Sequence, residues 1–288
     1  MVDKPEGPTS HDVVDRVRRA FGVRRVGHTG TLDPFATGVL PVCIGKATRL
    51  ASILSAGAKA YEATIRLGFA TSTDDRTGTP LGPPQPVAVT REAAEAVCSR
   101  FVGQLDQVPP AYSAKRVAGE RLYELARRGA RAVPKPYRVT VFALELRRVG
   151  GETLEIGVRC SAGTYIRALA RDIGEALASG GHLSALRRTW SAGFGLEHAV
   201  TWDELAQAGL ASRIMRLEAL LPEIPAVRVG EDGLRALRHG RDIERSALIE
   251  GSDWSAGERF RVLGEDGALV ALATPSGDRL HPHLVLVE

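Results

Sequence analysis

The chain has 288 residues, 44% of them hydrophobic and 25% charged, which allows one large domain or a large and a small one. Its net charge of +4, with a pI of about 9.1, is a weak indication of a nucleic-acid partner. The sequence contains no apolar run of membrane-spanning length, and its start does not resemble a signal peptide. The three cysteines, Cys43, Cys98 and Cys160, form neither a disulfide framework nor a zinc pattern. We therefore expect a cytoplasmic globular protein without a metal.

The first predicted element is a helix over residues 10–21, with Ser10 as its N-terminal cap. A loop rich in small and turn-forming residues follows, with the sequence GHTGTLDPFATGVLP at 27–41. Its one acidic side chain is Asp33, which precedes a proline and lies five residues after His28. Taken alone, an aspartate before a proline is most simply an ordinary turn residue.

The next elements lead to a strongly basic segment. Residues 61–67, YEATIRL, alternate between apolar and polar and predict a half-buried strand. A polar, proline-rich connection at 71–90 precedes a helix from Thr90 to about Val102. Residues 113–138 then carry eight Lys or Arg and two Glu, interleaved with tyrosines. A solvated helix face explains such a run most simply, whereas cations for phosphates and flat rings for stacking suit contact with RNA.

The second half of the chain alternates strands and helices irregularly. Strands are predicted at 138–148 and 153–160, and a helix that contains Arg167 follows Gly163. A capping box formed by Thr201 and Glu204 predicts the start of a second, short helix. The stretch PEIP at 222–225 is the predicted domain boundary. Beyond it, three short strands separated by glycine turns predict a small β-rich module, at 258–263, 268–273 and 280–287. This order favours an α+β fold over a doubly wound sheet.

Several classes of chemistry lack their sequence signature. The chain has no Walker-type loop, no GxGxxG followed by an acidic residue, no HExxH, no CxxC and no GxSxG. The sequence therefore indicates no nucleotide or metal site, and a cofactor-free reaction that uses a carboxylate remains open.

Six segments, taken in order, resemble consecutive motifs of the TruB-type pseudouridine synthases, which are tRNA pseudouridine-55 synthases. They are DKPEGPTSHDVV at 3–14, GHTGTLDPFATGVLP at 27–41, YEATIRLG at 61–68, QVPPAYSAKRVAGERLYELARRG at 107–129, CSAGTYIRALARDIGEAL at 160–177 and GGHLSALRRT at 180–189. The resemblance implies isomerisation of uridine to pseudouridine at position 55 in the T-loop of tRNA, by base flipping and without a cofactor.

The resemblance also implies an architecture. A mixed, largely antiparallel sheet flanked by helices would form a catalytic domain over 1–222, with an RNA clamp inserted at about 111–138. A small β-rich, PUA-like RNA-binding module would occupy 226–288. We expect a monomer without an obligatory protein partner.

The resemblance assigns roles to individual residues. Asp33 matches the catalytic aspartate, whose carboxylate either attacks the nucleotide or removes a ribose proton. Arg167 matches the arginine that pairs with it, Tyr61 and Leu186 match residues that hold the base, and His28 matches a histidine beside the flipped nucleotide. The resemblance also implies that several cations contact RNA phosphates. These are Lys46 and, in the clamp, Lys115, Arg116, Arg121, Arg127 and Arg128.

Two alternatives stay open. One is an RNA-binding or tRNA-folding protein without catalytic activity, which the same basic surfaces would serve. The other is a ribosomal-RNA pseudouridine synthase of the same superfamily, which works with guide RNA and accessory proteins. The short tail LHPHLVLVE argues for the stand-alone kind.

Overall fold

A computed structural model describes residues 1–113, 116–117, 120–121, 128, 135–207, 209–251 and 258–287. The chain forms two compact units. The larger contains Met1–Gly22, Val26–Val42 and Ala51–Ala206, and the smaller contains Val23–Arg25, Cys43–Leu50 and Gln207–Glu288. The predicted division at 222–226 stays a prediction.

The first 206 residues contain the following elements. The helices are α1 (Ser10–Phe21), α2 (Ala51–Ser55), α3 (Arg91–Ser99) and α4 (Ile166–Ala176), with 3-10 turns at Gly45–Leu50, Leu196–His198 and Glu204–Ala206. The strands are β1 (Val2–Lys4), β2 (Val26–His28), β3 (Thr37–Leu40), β4 (Val42–Ile44), β5 (Lys59–Leu67), β6 (Gly103–Gln107), β7 (Arg116–Val117), β8 (Glu120–Arg121), β9 (Tyr137–Gly150), β10 (Thr153–Cys160), β11 (Gly181–Ser191), β12 (Phe194–Gly195) and β13 (Val200–Thr201).

Within the described residues, the larger unit is built on one nine-stranded sheet. Its order is β13-β1-β3-β11-β5-β10-β9-β6, with β12 paired to β11. Strands β1 and β13 are parallel, as are β3 and β11, while the other neighbours are antiparallel. The predicted mixed, largely antiparallel sheet is confirmed.

The core lies between the sheet and α4. On β5, Tyr61, Ala63, Ile65 and Leu67 are buried and alternate with more exposed polar residues, as the sequence pattern predicts. They pack with β10, β11 and the apolar stripe of α4 in one hydrophobic cluster. Burial of each aliphatic side chain stabilises the folded state by about 1.5–3 kcal/mol. The packing of this cluster therefore fixes where the first turn of α4 lies against the sheet.

Three predicted element boundaries differ from the structure. The cap of α1 is Thr9, not Ser10, because Thr9 and Asp12 form a reciprocal capping box. Helix α3 ends at Ser99 rather than near Val102, since the following amides bond to carbonyls three residues back and tighten the chain before β6. The capping box at Thr201 is present, but it begins only a 3-10 turn.

The smaller unit ends in a β-rich fold with one helix. Its 3-10 turns are Leu210–Arg213, Leu217–Ala219 and Arg245–Ala247, its helix is α5 (Glu231–Arg238), and its strands are β14 (Ala226–Val229), β15 (Ile243–Glu244), β16 (Leu248–Glu250), β17 (Phe260–Leu263), β18 (Leu269–Ser276) and β19 (Arg279–Val285). Among the residues described there, six strands form a sheet in the order β15-β19-β18-β17-β14-β16. The predicted C-terminal β-rich fold is confirmed.

No helix in the described part of the chain has the length and apolar character needed to cross a membrane.

Candidate active site

The loop that carries Asp33 is held from behind by Lys4. The Lys4 side chain is fully buried, and its Nζ donates hydrogen bonds to the carbonyl oxygens of Pro5 (2.8 Å), Pro8 (2.7 Å) and Pro34 (3.2 Å). Burial lowers the pKa of Lys4 to about 8, and the charge of Asp33 opposes that shift. A cation thus fixes the peptide that follows Asp33.

A second tether comes from α1. The hydroxyl of Ser10 accepts a hydrogen bond from the amide of Leu32 (2.8 Å) and donates one to its carbonyl (3.0 Å). Because Leu32 directly precedes Asp33, the helix sets the backbone position from which the carboxylate projects. Ser10, predicted to be a cap, instead positions this loop.

Arg167, in the first turn of α4, binds the Asp33 carboxylate through two nitrogens. Its Nε lies 3.0 Å from Oδ2, and its Nη2 donates to Oδ1 at 3.4 Å. The same guanidinium donates to the carbonyls of Thr73 (3.0 Å) and Tyr112 (2.9 Å). Its side chain is 7% exposed, whereas that of Asp33 is 33% exposed. The guanidinium is therefore held rigidly, and the carboxylate still reaches the surface of a cleft.

A third charged group, Asp75, completes the cluster. Its Oδ2 lies 3.3 Å from Nη1 of Arg167, and its Oδ1 accepts bonds from the hydroxyl of Thr73 (2.7 Å) and from the amide (2.9 Å) and hydroxyl (2.5 Å) of Thr77. Asp75 was not predicted from the sequence, because its segment looks like an ordinary polar connection. Two carboxylates thus share one guanidinium, with one negative charge in excess.

The surroundings of Asp33 act on its pKa in opposite directions. Burial raises the pKa above the ordinary value of 3.8, Arg167 lowers it, the nearby charge of Asp75 raises it and Lys4 lowers it. The net shift is upward. The carboxylate is therefore more basic than an exposed aspartate, while the bound guanidinium favours its ionised form.

Asp33 faces a cleft of about 930 Å³ that also gathers Tyr61, His28 and Leu186. Tyr61 and Leu186 lie on the neighbouring strands β5 and β11, where Leu186 pairs with Ala63, two residues from Tyr61. Both are buried. The cleft thus combines a carboxylate, an aromatic ring and an aliphatic side chain at one wall, a suitable set of contacts for a flat heterocycle.

Two titratable residues of the cleft are shifted toward their neutral forms. Burial raises the pKa of the Tyr61 hydroxyl above 10, and Arg188 opposes the rise through its charge and a hydrogen bond. Burial lowers the pKa of His28, assisted by Arg188 and His11. The Nδ1 atom of His28 accepts a hydrogen bond from the Gly30 amide at 3.3 Å, which fits the neutral ring.

Two buried cations of this cleft, Arg188 and Lys59, were not predicted from the sequence. Arg188 is 1% exposed and donates from Nε to the Val39 carbonyl (2.7 Å) and from Nη2 to the Gly30 carbonyl (3.0 Å). Lys59 is 6% exposed and donates to the carbonyls of Ser55 and Gly57, both at 2.9 Å. The strand β11 was not predicted, so the adjacent arginines of LRRT gave no sign that one of them points inward.

Comparison with known proteins identifies the family. Residues 18–166 match the N-terminal domain of the TruB family of pseudouridylate synthases, and residues 167–223 match the C-terminal domain of tRNA pseudouridylate synthase B. The chain belongs to the TruB family. Asp33 lies in the first matched region, and Arg167 is the first residue of the second.

Whole-chain relatives agree with this assignment. A tRNA pseudouridine synthase B of Mycolicibacterium paratuberculosis is 44% identical over 290 residues, covering 99% of this chain and 96% of the relative. That of Burkholderia lata is 42% identical over 290 residues, covering 100% and 89%. A crystal structure of a Cbf5–Nop10–Gar1 complex is similar with a TM-score of 0.76 and 26% identity, covering 99% of this chain and 84% of that chain. The resemblance found in the sequence is confirmed.

None of the remaining predicted residues is among the described residues that line this cleft. Lys46 is an exposed residue of the 3-10 turn Gly45–Leu50, in the smaller unit. Of the predicted clamp cations, Arg116 and Arg121 lie on the paired strands β7 and β8, and Arg128 forms an ion pair with Glu120. Lys115 and Arg127 lie outside the described residues. The roles of all these cations stay predictions.

Proposed function

We propose that this chain converts uridine to pseudouridine at position 55 in the T-loop of tRNA, without a cofactor. The relatives named tRNA pseudouridine synthase B support isomerisation in tRNA. The observation that carries the proposal is the Asp33 carboxylate, held by two nitrogens of Arg167 at the edge of a cleft that also holds Tyr61 and Leu186.

The geometry supports a separate role for each of these residues. The target nucleotide leaves its stack and enters the cleft, which costs a few kcal/mol of unstacking. Asp33 acts on the nucleotide, either as the nucleophile that attacks it or as the base that removes a ribose proton. Tyr61 and Leu186 hold the uracil between an aromatic and an aliphatic surface, so that the detached base can turn without directional bonds. His28 remains neutral and packs beside the flipped nucleotide.

The RNA footprint is part of the same proposal. Lys46 and the clamp cations contact phosphates of the T-arm, and the C-terminal β-rich fold adds a further RNA surface. The protein works as a monomer in the cytoplasm, and no protein partner is required. The chain's basic character supports binding to a polyanion.

The test is position-resolved mapping of pseudouridine on unmodified tRNA incubated with the purified protein. We expect modification at position 55 and none in a matched transcript with cytidine there. A ribosomal-RNA stem-loop serves as the competing substrate. Tight tRNA binding without any pseudouridine would contradict the proposal in favour of a binding protein, and exclusive modification of the ribosomal fragment would favour the other branch of the superfamily.

A further inference from the structure

The charged residues that line the cleft fall into two groups of opposite sign. Asp33 and Asp75 share the guanidinium of Arg167, which leaves one negative charge in excess. Lys59 and Arg188 form the other group and, among the described residues, make no ion pair with a carboxylate: both donate to backbone carbonyls instead.

Tyr61 lies next to the cationic group. It faces Arg188 across the pair β5–β11, and Lys59 lies two residues before it on the same face of β5. The charges of both Asp33 and Arg188 act on the Tyr61 hydroxyl, whereas the groups that act on Asp33 are Arg167, Asp75 and Lys4. The ring that is proposed to hold the base therefore lines the same cleft as both groups of charge.

Two buried cations without a counter-ion are costly, so an anion that forms beside them in the cleft is stabilised. Within the proposed isomerisation, the reacting base becomes that anion. When the bond between ribose C1′ and uracil N1 breaks, its electron pair stays on the base, and the negative charge spreads over N1, O2 and O4. This holds whether Asp33 attacks the ribose or removes its proton.

We infer that Lys59 and Arg188 form an electrostatic site for the detached uracil anion, next to Tyr61 in the cleft that Asp33 also lines. The anion then turns, and its C5 donates the electron pair of the new bond to C1′. In the same step a bond from Asp33 to C1′ breaks and returns its electron pair to the carboxylate, or, where Asp33 has removed a ribose proton, that proton returns to C2′. C5 then loses its proton, and N1 takes one up. Atoms and electrons balance, because the product is an isomer. Fixed charges aimed at a developing charge act without reorganisation, and removing one such group typically costs about 10²-fold in rate.

This inference rests on the proposed function, and a leaving-group comparison tests it separately. RNA with 5-fluorouridine at the target position releases a base whose anion is stabilised by the electron-withdrawing fluorine. Single-turnover loss of the N1-linked nucleoside, measured by digestion and chromatography, follows bond cleavage for both substrates. A wild-type protein that fails to convert uridine would overturn the proposed function itself.

The key variant is Lys59→Gln, which removes the charge but keeps N–H donors. We expect cleavage of uridine RNA to slow about 10²-fold, cleavage of 5-fluorouridine RNA to slow several-fold less, and the RNA dissociation constant to stay unchanged. Lys59→Arg, which restores the charge, should return the ratio of the two rates toward that of the wild type. Arg66→Met is the matched control, since Arg66 is a cation on the opposite face of β5, paired with Glu152.

Two results would overturn the inference. An equal slowing on both substrates would show that the charge does not act on the leaving base. Weaker RNA binding with a flatter salt dependence would show that Lys59 contacts a phosphate instead. Arg188→Lys gives a second, independent variant, because it keeps a cation for the fold while withdrawing it from the Tyr61 hydroxyl. Circular dichroism melting confirms that each variant is folded before its rates are compared.

Discussion

At the scale of single residues, the chemistry of the candidate site depends on how Arg167 is shared. Its guanidinium binds Asp33 at 3.0 Å and Asp75 at 3.3 Å, and backbone carbonyls hold the rest of its N–H groups. The charge state of Asp33 therefore depends on burial and on both charged neighbours. Two predictions follow the signs of these effects.

The first concerns the pH dependence of the wild type. Burial raises the pKa of Asp33 above 3.8, and the proposed reaction needs the ionised carboxylate. As pH falls, kcat/KM should therefore decrease through a value higher than that of an exposed aspartate. A pH profile of kcat/KM on a T-arm RNA measures this limb. An acid limb at or below the ordinary aspartate pKa would contradict the burial of the working carboxylate.

The second concerns Asp75→Asn. Removing this like charge lowers the pKa of Asp33, so the acid limb should move to lower pH. Near neutral pH the rate should fall about 10-fold, because the ion pair between Asp75 and Arg167 that orients the guanidinium is lost. Asp74→Asn is the matched control, since Asp74 pairs with Arg171 instead. If single-turnover rates of Asp75→Asn and the control variant were equal, Asp75 would not contribute to the reaction.

At the scale of elements, the parallel contact between β3 and β11 brings the Asp33 loop to the wall of the cleft that Tyr61 and Leu186 form. Arg188 of β11 pairs with Gly38 of β3, whose φ is +103°. A Cβ at Gly38 would lie 2.1 Å from the Arg188 carbonyl oxygen, so only glycine permits this approach. The position of the loop relative to Tyr61 and Leu186 depends on this contact.

Gly38→Ala should therefore destabilise the fold strongly. Gly7→Ala is a close control, because Gly7 has a φ of +107° with open space where a Cβ would lie. Both variants incur the strain of a positive φ, about 1–3 kcal/mol, and Gly38→Ala adds an overlap with backbone. Urea unfolding should show Gly38→Ala to be less stable than Gly7→Ala by about 2 kcal/mol or more. Equal losses would contradict a close contact at this position.

The sequence predicted elements well where periodicity or caps were strong. The alternation of apolar and polar residues on β5 and the spacing of apolar residues on α4 were sufficient to predict that strand and that helix. Strand β11 was not predicted, because arginines interrupt its apolar pattern. One of them, Arg188, is nevertheless buried, and its guanidinium donates hydrogen bonds to backbone carbonyls. Asp75 was not predicted for a similar reason: its place in the charged cluster depends on a contact with Arg167, far along the chain, that no local pattern encodes.

The motifs found Asp33 and Arg167, but only the fold shows why they meet. They are 134 positions apart, and their pairing depends on the tethers of the loop and on the packing of α4 against the sheet. The family resemblance supplied the roles, and the structure supplies the distances. The contacts of Lys4 and Ser10 with the loop are likewise tertiary.

At the scale of the whole molecule, RNA affinity should depend on the basic segment more than on net charge. Charge reversal at Arg127 and Arg128 should weaken tRNA binding and flatten its salt dependence, because fewer counterions are released. Charge reversal at Arg91 and Arg100, two exposed arginines at α3, changes net charge equally and serves as control. Filter binding across a salt series measures both slopes. Identical slopes for the two double variants would remove the segment from the RNA footprint.

The central claim is that the Asp33 carboxylate, held by Arg167, performs the chemistry. Its most direct test is single-turnover conversion of tRNA by Asp33→Asn, with tRNA affinity measured in parallel. Asp15→Asn is the control, since Asp15 is a partly exposed residue of α1. We predict that pseudouridine formation falls at least about 10³-fold while the dissociation constant stays within a few-fold of the wild-type value. Substantial turnover by Asp33→Asn would contradict the account.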